Sequence, residues 1–482
     1  MRTLLYVAIL LLLFFDVAGQ AKFSQKELLH DLSVLKRIVT NTNPLLTNDS
    51  RVQMERMFAD AERTFPLEQA TGLEFIKYVT RLQINAGYDE HASFDLNEQL
   101  FPVSSVFFPV PIYLLGDRFV VNSEKAMLPY GSLIRSINGI SADSILHKFL
   151  RGDREVNHFK HRLGSIFHAM YFLEYGGADE FIITYNENLK SKELKTVTCK
   201  AVSLRNAFAL QNDAVFPLTK VTEQNLNQTY VEFNEITKGY YLQLKSFTGL
   251  SGDSSMPYTQ MFDSLFKHVQ SKSPRSMILD IRGNSGGLLL VPGLLLSYLA
   301  GTPFDEVHHL KMMPVKDIPL DYLKRIDQRP VATKSDGRKM LYRLYDGSVT
   351  QNGSTYKDIH FKREPSPYRF SGPVALLTDG GTFSAAAYFA NLFQRSKRGS
   401  IMGLPTGGAA RQITAGHMLE YELPNTKIVV SLPLMYITFG DAASINSTWD
   451  YVVPDAVLPF EKEYQYFCLK QDWGVQIKLN AQ

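Results

Sequence analysis

Cysteine is scarce: the 482-residue chain has two, Cys199 and Cys468. Neither belongs to a CxxC pair, which argues against a thiolate metal centre or a dithiol redox motif. No metal or other cofactor is expected. An excess of one charge is also lacking. Lys and Arg number 51 against 48 Asp and Glu, a formal net charge of +3, and no basic block of the kind that follows a phosphate backbone occurs. Nucleic acid is therefore not an expected partner. Beyond the N-terminus no apolar run reaches the roughly 18 residues of a membrane span. Gly (31) and Pro (22) stand at ordinary levels, and 12% of residues are aromatic, so collagen-like, low-complexity and disordered classes drop out. What remains is a globular chain with room for about two to four domains.

The start of the chain is the exception. Met1-Arg2 is a short positive segment, residues 4–15 are an unbroken apolar run, and Val17-Ala18-Gly19 offers small or short residues for cleavage. This pattern predicts a Sec signal peptide over 1–19 and export to a periplasmic or extracellular space, with an uncleaved anchor as the alternative. No stable membrane span is expected after cleavage. In an oxidising compartment Cys199 and Cys468 either pair or remain buried thiols. Asn48, Asn227, Asn352 and Asn446 head N-x-S/T sequons, which matter only in a glycosylating host.

Three regions follow. Residues 20–98 read as helical. Ser24 and Glu27 form a capping box, Leu28, Leu32, Leu35 and Ile38 recur at helical spacing, a second helix covers 51–64, and a third starts at Thr71 and stops at Gly87. Residues 99–200 read mainly as β. Gly116-Asp117 turns a hairpin, and a strand ending at Asn138-Gly139 leads to a helix capped by Ser141, the half-module of peptide-binding PDZ domains. From 230 to 462 buried strands at 277–281 and 374–378 alternate with helices, one of them, 288–299, broken by Pro292-Gly293. That alternation predicts an α/β core covered on both sheet faces. Residues 302–370, rich in charge and proline, read as an insertion into it.

Two segments of the core carry chemistry. Ser384 follows a buried strand and a Gly-Gly turn and opens a helix, where unpaired N–H groups suit a developing oxyanion. A plain helix cap is the simpler reading of the same position. The loop 280–287, Asp-Ile-Arg-Gly-Asn-Ser-Gly-Gly, runs from a buried strand into a helix, and its glycines let backbone N–H groups approach a phosphate or a peptide carbonyl. It lacks the Gly-Lys-Ser/Thr ending of a Walker A loop. Of the histidines, His158 and His161 read as a solvated helix face, and His308 and His309 as opposite faces of a strand.

Taken together, 280–287, the strand-turn-serine segment 378–386, Asp89-Glu90-His91-Ala92-Ser93 and Thr406-Gly407-Gly408 resemble the tail-specific (C-terminal processing) serine peptidases, on the tricorn-core-like branch. The resemblance implies a crotonase/ClpP-like α/β core with an N-terminal helical cap and a PDZ-like module. It implies Ser384 as nucleophile and His91 as its base, since no lysine lies near 406–411 and Arg411 cannot deprotonate. It implies an oxyanion hole from the N–H of Gly286 or Gly287 and that of Ala385. For the third member Asp450 is the nearest carboxylate ahead of Pro454-Asp455, with Asp89 or Glu90 as alternatives. The expected activity is serine endopeptidase on protein or peptide substrates. A non-catalytic peptide- or apolar-ligand binder is the alternative. An acyl-CoA enzyme of crotonase architecture fits poorly with export.

Overall fold

The computed structural model describes residues 21–46, 48–66, 68–82, 91–95, 101, 104–150, 156–216, 229–248, 257–351, 354–440 and 450–474. The expected signal peptide, the helix stop at Gly87, and Asp89 and Glu90 lie outside them.

The N-terminal region is helical as its periodicity implies. Helix Gln25–Thr42 starts at Ser24 and helix Gly72–Arg81 at Thr71, each with a complete capping box. Leu28, Leu32, Leu35 and Ile38 are fully buried, and their cluster is continuous with that of the α/β core. A buried carboxylate ties the two together. Asp31 accepts hydrogen bonds from the backbone N–H groups of Asn425 and Thr426 and from both their side chains, at 2.6–3.0 Å.

The β-rich region is a six-stranded antiparallel sheet, five strands in the order Lys195–Lys200, Glu180–Asn186, Leu133–Ile137, Arg118–Val121, Ile112–Leu115 and a short sixth, Ile140–Ser141, paired with Leu133–Ile137. The Gly116-Asp117 and Asn138-Gly139 turns and the Ser141 cap occur where their chemistry places them. Helix Val156–Tyr175 lies along the edge strand Ile112–Leu115. A Cβ on Gly164 would stand 2.6 Å from the Ile112 carbonyl, so only glycine allows that approach. The opposite sheet face is covered by helix Phe460–Cys468, through Tyr464 and Phe467.

The core holds two sheets. The first has the order Thr229–Asn234, Gly239–Leu244, Ser276–Asp280, Val374–Thr378, Ser400–Gly403, Ala456–Val457, antiparallel at the first pair and parallel beyond it. The second is built around Gln412–Glu422, Val429–Phe439, Phe304–Met312 and Ser354–Arg363, all antiparallel. Residues 302–370 are therefore not an insertion. Phe304–Met312 is an interior strand, hydrogen-bonded on both sides, and alternation rather than continuous apolarity hides its burial from composition. Nor is the helix Leu290–Ser297 broken. Pro292 sits in its first turn, where a missing N–H costs nothing, and Gly293 makes room for the Glu306 carboxylate.

One buried group gives the fold a pH dependence. His168 on helix Val156–Tyr175 is 3% exposed, edge-on to Phe107 and Phe208, and neither ring nitrogen has a hydrogen-bond partner among the described residues. Burial lowers its pKa to about 4. The unfolded chain takes up this proton near 6.5 and the native state does not. Stability is thus whole above that pH and is lost as pH falls toward 4, by about 2 kcal/mol at pH 5. His168→Phe should remove this contribution. Urea midpoints at pH 7 and pH 5 check it, and equal acid sensitivity of variant and wild type would contradict it.

Candidate active site

The strand Val374–Thr378 ends at Asp379-Gly380-Gly381, and helix Ala385–Arg395 begins four residues later. Ser384 between them has φ 52° and ψ −127°. A non-glycine residue there costs on the order of 1–3 kcal/mol, so its surroundings must impose it. They do so through the backbone on both sides. Phe383 N–H donates to Asn284 O at 2.9 Å, Thr382 N–H to Asp379 O at 2.9 Å, and Tyr388 N–H to Ser384 O at 3.1 Å. Thr382 Oγ1 donates to Ile281 O at 3.0 Å, while Gly407 N–H donates to Thr382 O at 2.9 Å. The Ser384 side chain caps nothing, contrary to the simple helix-cap reading. Its Oγ lies 3.1 Å from His91 Nε2.

His91 reaches this point from 293 residues away because the chain just after it is pinned to the core. Ser93–Phe94 pairs antiparallel with Val430 and Ser431 of the second sheet, and Asp95 N–H donates to Val429 O at 2.9 Å. The ring is half-buried and stacks on Phe383, with centroids 4.7 Å apart.

The loop 280–287 is held by a buried ion pair at its root. Arg282 Nε and Nη2 grip the two oxygens of Asp280 at 2.9 and 2.6 Å, Nη1 donates to Asp472 at 2.7 Å, and Trp473 covers the guanidinium at 4.2 Å. Burial opposes the Asp280 charge, but Arg282 outweighs it and holds the carboxyl at about 2. At the tip, a Cβ on Gly286 would stand 2.8 Å from both Ala385 N and Ser384 Cβ. The loop therefore touches the turn at Ser384 with almost no side chain between them. Gly286 N–H is already donated to Asn284 Oδ1 at 2.8 Å. Of the two glycines, Gly287 is the one whose N–H, like that of Ala385, has no hydrogen-bond partner among the described residues. Ser285, which stands where the resembling family has glycine, is not among the residues at positive φ and needs no glycine.

Asp450 is not brought to the pair. Its side chain is exposed, its carbonyl accepts from Ala410 N–H at 2.7 Å, and no described contact joins it to His91. The Ala409–Tyr451 bridge holds this stretch as backbone pairing, with the carboxylate facing solvent. His158 and His161 are also not a solvated face. His158 is buried with its ring 3.8 Å from that of Phe383, and His161 Nδ1 lies 3.8 Å from Asp379 Oδ2. Their i,i+3 spacing puts both on one helix face, but spacing does not say what that face meets. Asp379 escaped sequence reading as well. Its Oδ1 accepts from Gly283 N–H at 2.8 Å and Gly381 N–H at 2.9 Å, joining the loops 280–287 and 379–384. The Asp-Gly-Gly turn was the available signal. Cys199 and Cys468 are both free thiols, and burial raises the pKa of each.

Residues 239–458 match the model described as Peptidase family S41. The fold is similar to that of a CPAF mutant, 17% identical, with a TM-score of 0.60 over 93% of this chain and 97% of that one. Mature CPAF complexed with lactacystin is 16% identical, with a TM-score of 0.57 over 93% and 98%. The photosystem II D1 C-terminal processing protease is 14% identical over 92% and 97%, with a TM-score of 0.41. No curated protein matches the sequence.

Two outcomes follow from this geometry. Gly286→Ala places a Cβ against Ser384 at a φ of 96°, and should lower Ser384 reactivity toward a fluorophosphonate on the order of 100-fold, while circular dichroism shows the fold retained. Near-wild-type labelling would contradict the contact. Glu463, buried on helix Phe460–Cys468, has its carboxyl pushed up to about 7 by burial, with the Asp379 charge adding to it. The native state prefers the protonated form. The stability this confers is whole below the unfolded pKa near 4.5 and is lost as pH rises through 7. Glu463→Gln should raise the urea midpoint at pH 8, by about 2 kcal/mol in stability, and change it little at pH 5. An equal shift at both pH values would rule this out.

Proposed function

We propose, from the match of residues 239–458 to peptidase family S41, that the chain is an exported serine-type endopeptidase working through a Ser384 acyl-enzyme. The observation that carries the mechanism is the 3.1 Å contact between His91 Nε2 and Ser384 Oγ, made at a serine held in a strained backbone conformation. Neutral His91 accepts the Ser384 proton as Oγ attacks a peptide carbonyl carbon. The carbonyl oxygen takes the negative charge and is held by the N–H groups of Gly287 and Ala385. As the C–N bond breaks, His91 passes its proton to the leaving amine. Water, deprotonated by His91, then attacks the ester carbonyl; the acyl C–Oγ bond breaks, His91 returns the proton to Ser384 Oγ, and the carboxylic acid product leaves. Asp450 takes no part in this reading.

Protein or peptide is the substrate class. An extended peptide would add to the β-rich region at strand Lys195–Lys200, which among the described residues is paired on one side only, whereas helix Val156–Tyr175 lies along the strand at the opposite edge. Export rests on the residue pattern at 1–19. Among the described residues no helix is long and apolar enough to cross a membrane.

A serine-directed fluorophosphonate should label the wild-type protein, and Ser384→Ala should abolish the label. His91→Ala should slow it on the order of 10³-fold or more. An unlabelled wild type, or equal labelling of Ser384→Ala, would leave the non-catalytic binder as the better reading.

A further inference from the structure

Phe383, next to the nucleophile, is enclosed by two imidazoles. His91 stacks on it at 4.7 Å and 28°, and His158 at 3.8 Å and 12°. Two rings that close and that nearly parallel to one phenyl cannot share a face without overlapping, so Phe383 lies between them. His158 comes from helix Val156–Tyr175 of the β-rich region, and that helix is fitted to the nucleophile loops at several points. Asn157 Nδ2 donates to Thr406 O at 3.2 Å. A Cβ on Gly380 would stand 2.6 Å from Asn157 O, one on Gly381 2.5 Å from His161 Nε2, and one on Gly407 2.9 Å from His158 Cβ. His158 is 7% exposed, so its ring is fixed by packing.

We propose that His158 is a positioning residue of the active site: by backing Phe383 it fixes the plane of the His91 ring, and with it the line from Nε2 to Ser384 Oγ. This inference rests on the serine-peptidase reading. A hydrogen bond to Oγ requires the imidazole plane to contain the Nε2–Oγ direction. Rotation of the His91 ring is limited on one side by the Phe383 face, and that face is only as rigid as whatever lies behind it. Remove His158, and Phe383 can retreat into the vacated space. The His91 ring then samples orientations in which Nε2 no longer meets the hydroxyl. Ground-state affinity for a ligand at Ser384 should be untouched, because His158 lies behind Phe383.

The test is fluorophosphonate inactivation kinetics on the full chain, with kinact and KI separated and the completed labelling compared with protein concentration. His158→Ala should lower kinact about 10–100-fold, the scale of a misplaced reacting group, with KI nearly unchanged and labelling still running to completion. His158→Phe, which retains a flat ring against Phe383, should restore kinact to within about threefold of wild type. The proposal is overturned if His158→Ala reacts at the wild-type rate, or if His158→Phe is as slow as His158→Ala. It is also overturned if both variants lose completeness of labelling rather than rate, since that is the mark of a fold-stability role. A wild type that is not labelled at all removes the peptidase reading itself, a result distinct from any of these.

Discussion

Three glycine-containing loops meet backbone against backbone, and the geometry of the site depends on that contact. A side chain on Gly286 would strike Ser384 Cβ and Ala385 N, one on Gly408 would stand 2.8 Å from Ser384 N, and one on Gly381 would stand 2.7 Å from the Cα of Gly283. With no side chains between them, the loops 280–287, 379–384 and 406–408 are joined by main-chain hydrogen bonds. Those bonds hold Ser384 at a φ of 52° that its neighbours would otherwise relax. The strain and the close approach are one feature, since the serine can face His91 only if its backbone turns where glycine-lined space permits.

Charge is buried around this contact in a consistent way. Asp280 is satisfied by Arg282, and Arg282 is shared with Asp472 near the C-terminus. Asp379 spends one carboxylate oxygen on N–H groups from both loops. Buried pairs of this kind contribute little net stability against an apolar alternative, because desolvation offsets their attraction. What they supply is direction, since a bidentate guanidinium fixes the strand end from which the glycine loop departs. Asp31 acts similarly at the other end of the molecule. It binds the helical region to the hairpin that carries the partner strand of Ser93–Phe94, and so to the segment that delivers His91.

Much of the architecture was legible in the residues. Both capping boxes, the hairpin turns and the buried strands Ser276–Asp280 and Val374–Thr378 announce themselves, because caps, turns and continuous apolar runs are local chemistry. The misreadings share a cause. Phe304–Met312 alternates charged and apolar residues, so its burial between two strands leaves no compositional trace. His158 and His161 share a helix face whose neighbour is set by how a separate region docks. Asp450 stood near the expected place along the chain, but the side chain faces solvent.

By itself, then, the order of residues determined which groups could do the chemistry: a serine after a strand and a Gly-Gly turn, a glycine loop rooted in Asp280 and Arg282, and a histidine in a short motif. These depend on neighbours a few positions apart, whose geometry the chain enforces locally. Only the tertiary structure decided which of them meet. It brought His91 to within 3.1 Å of Ser384 across 293 residues, spent the Gly286 N–H on Asn284, left those of Gly287 and Ala385 unpaired among the described residues, and set His158 behind Phe383. Contacts at that separation are fixed by which surfaces bury each other, and sequence spacing carries no record of that.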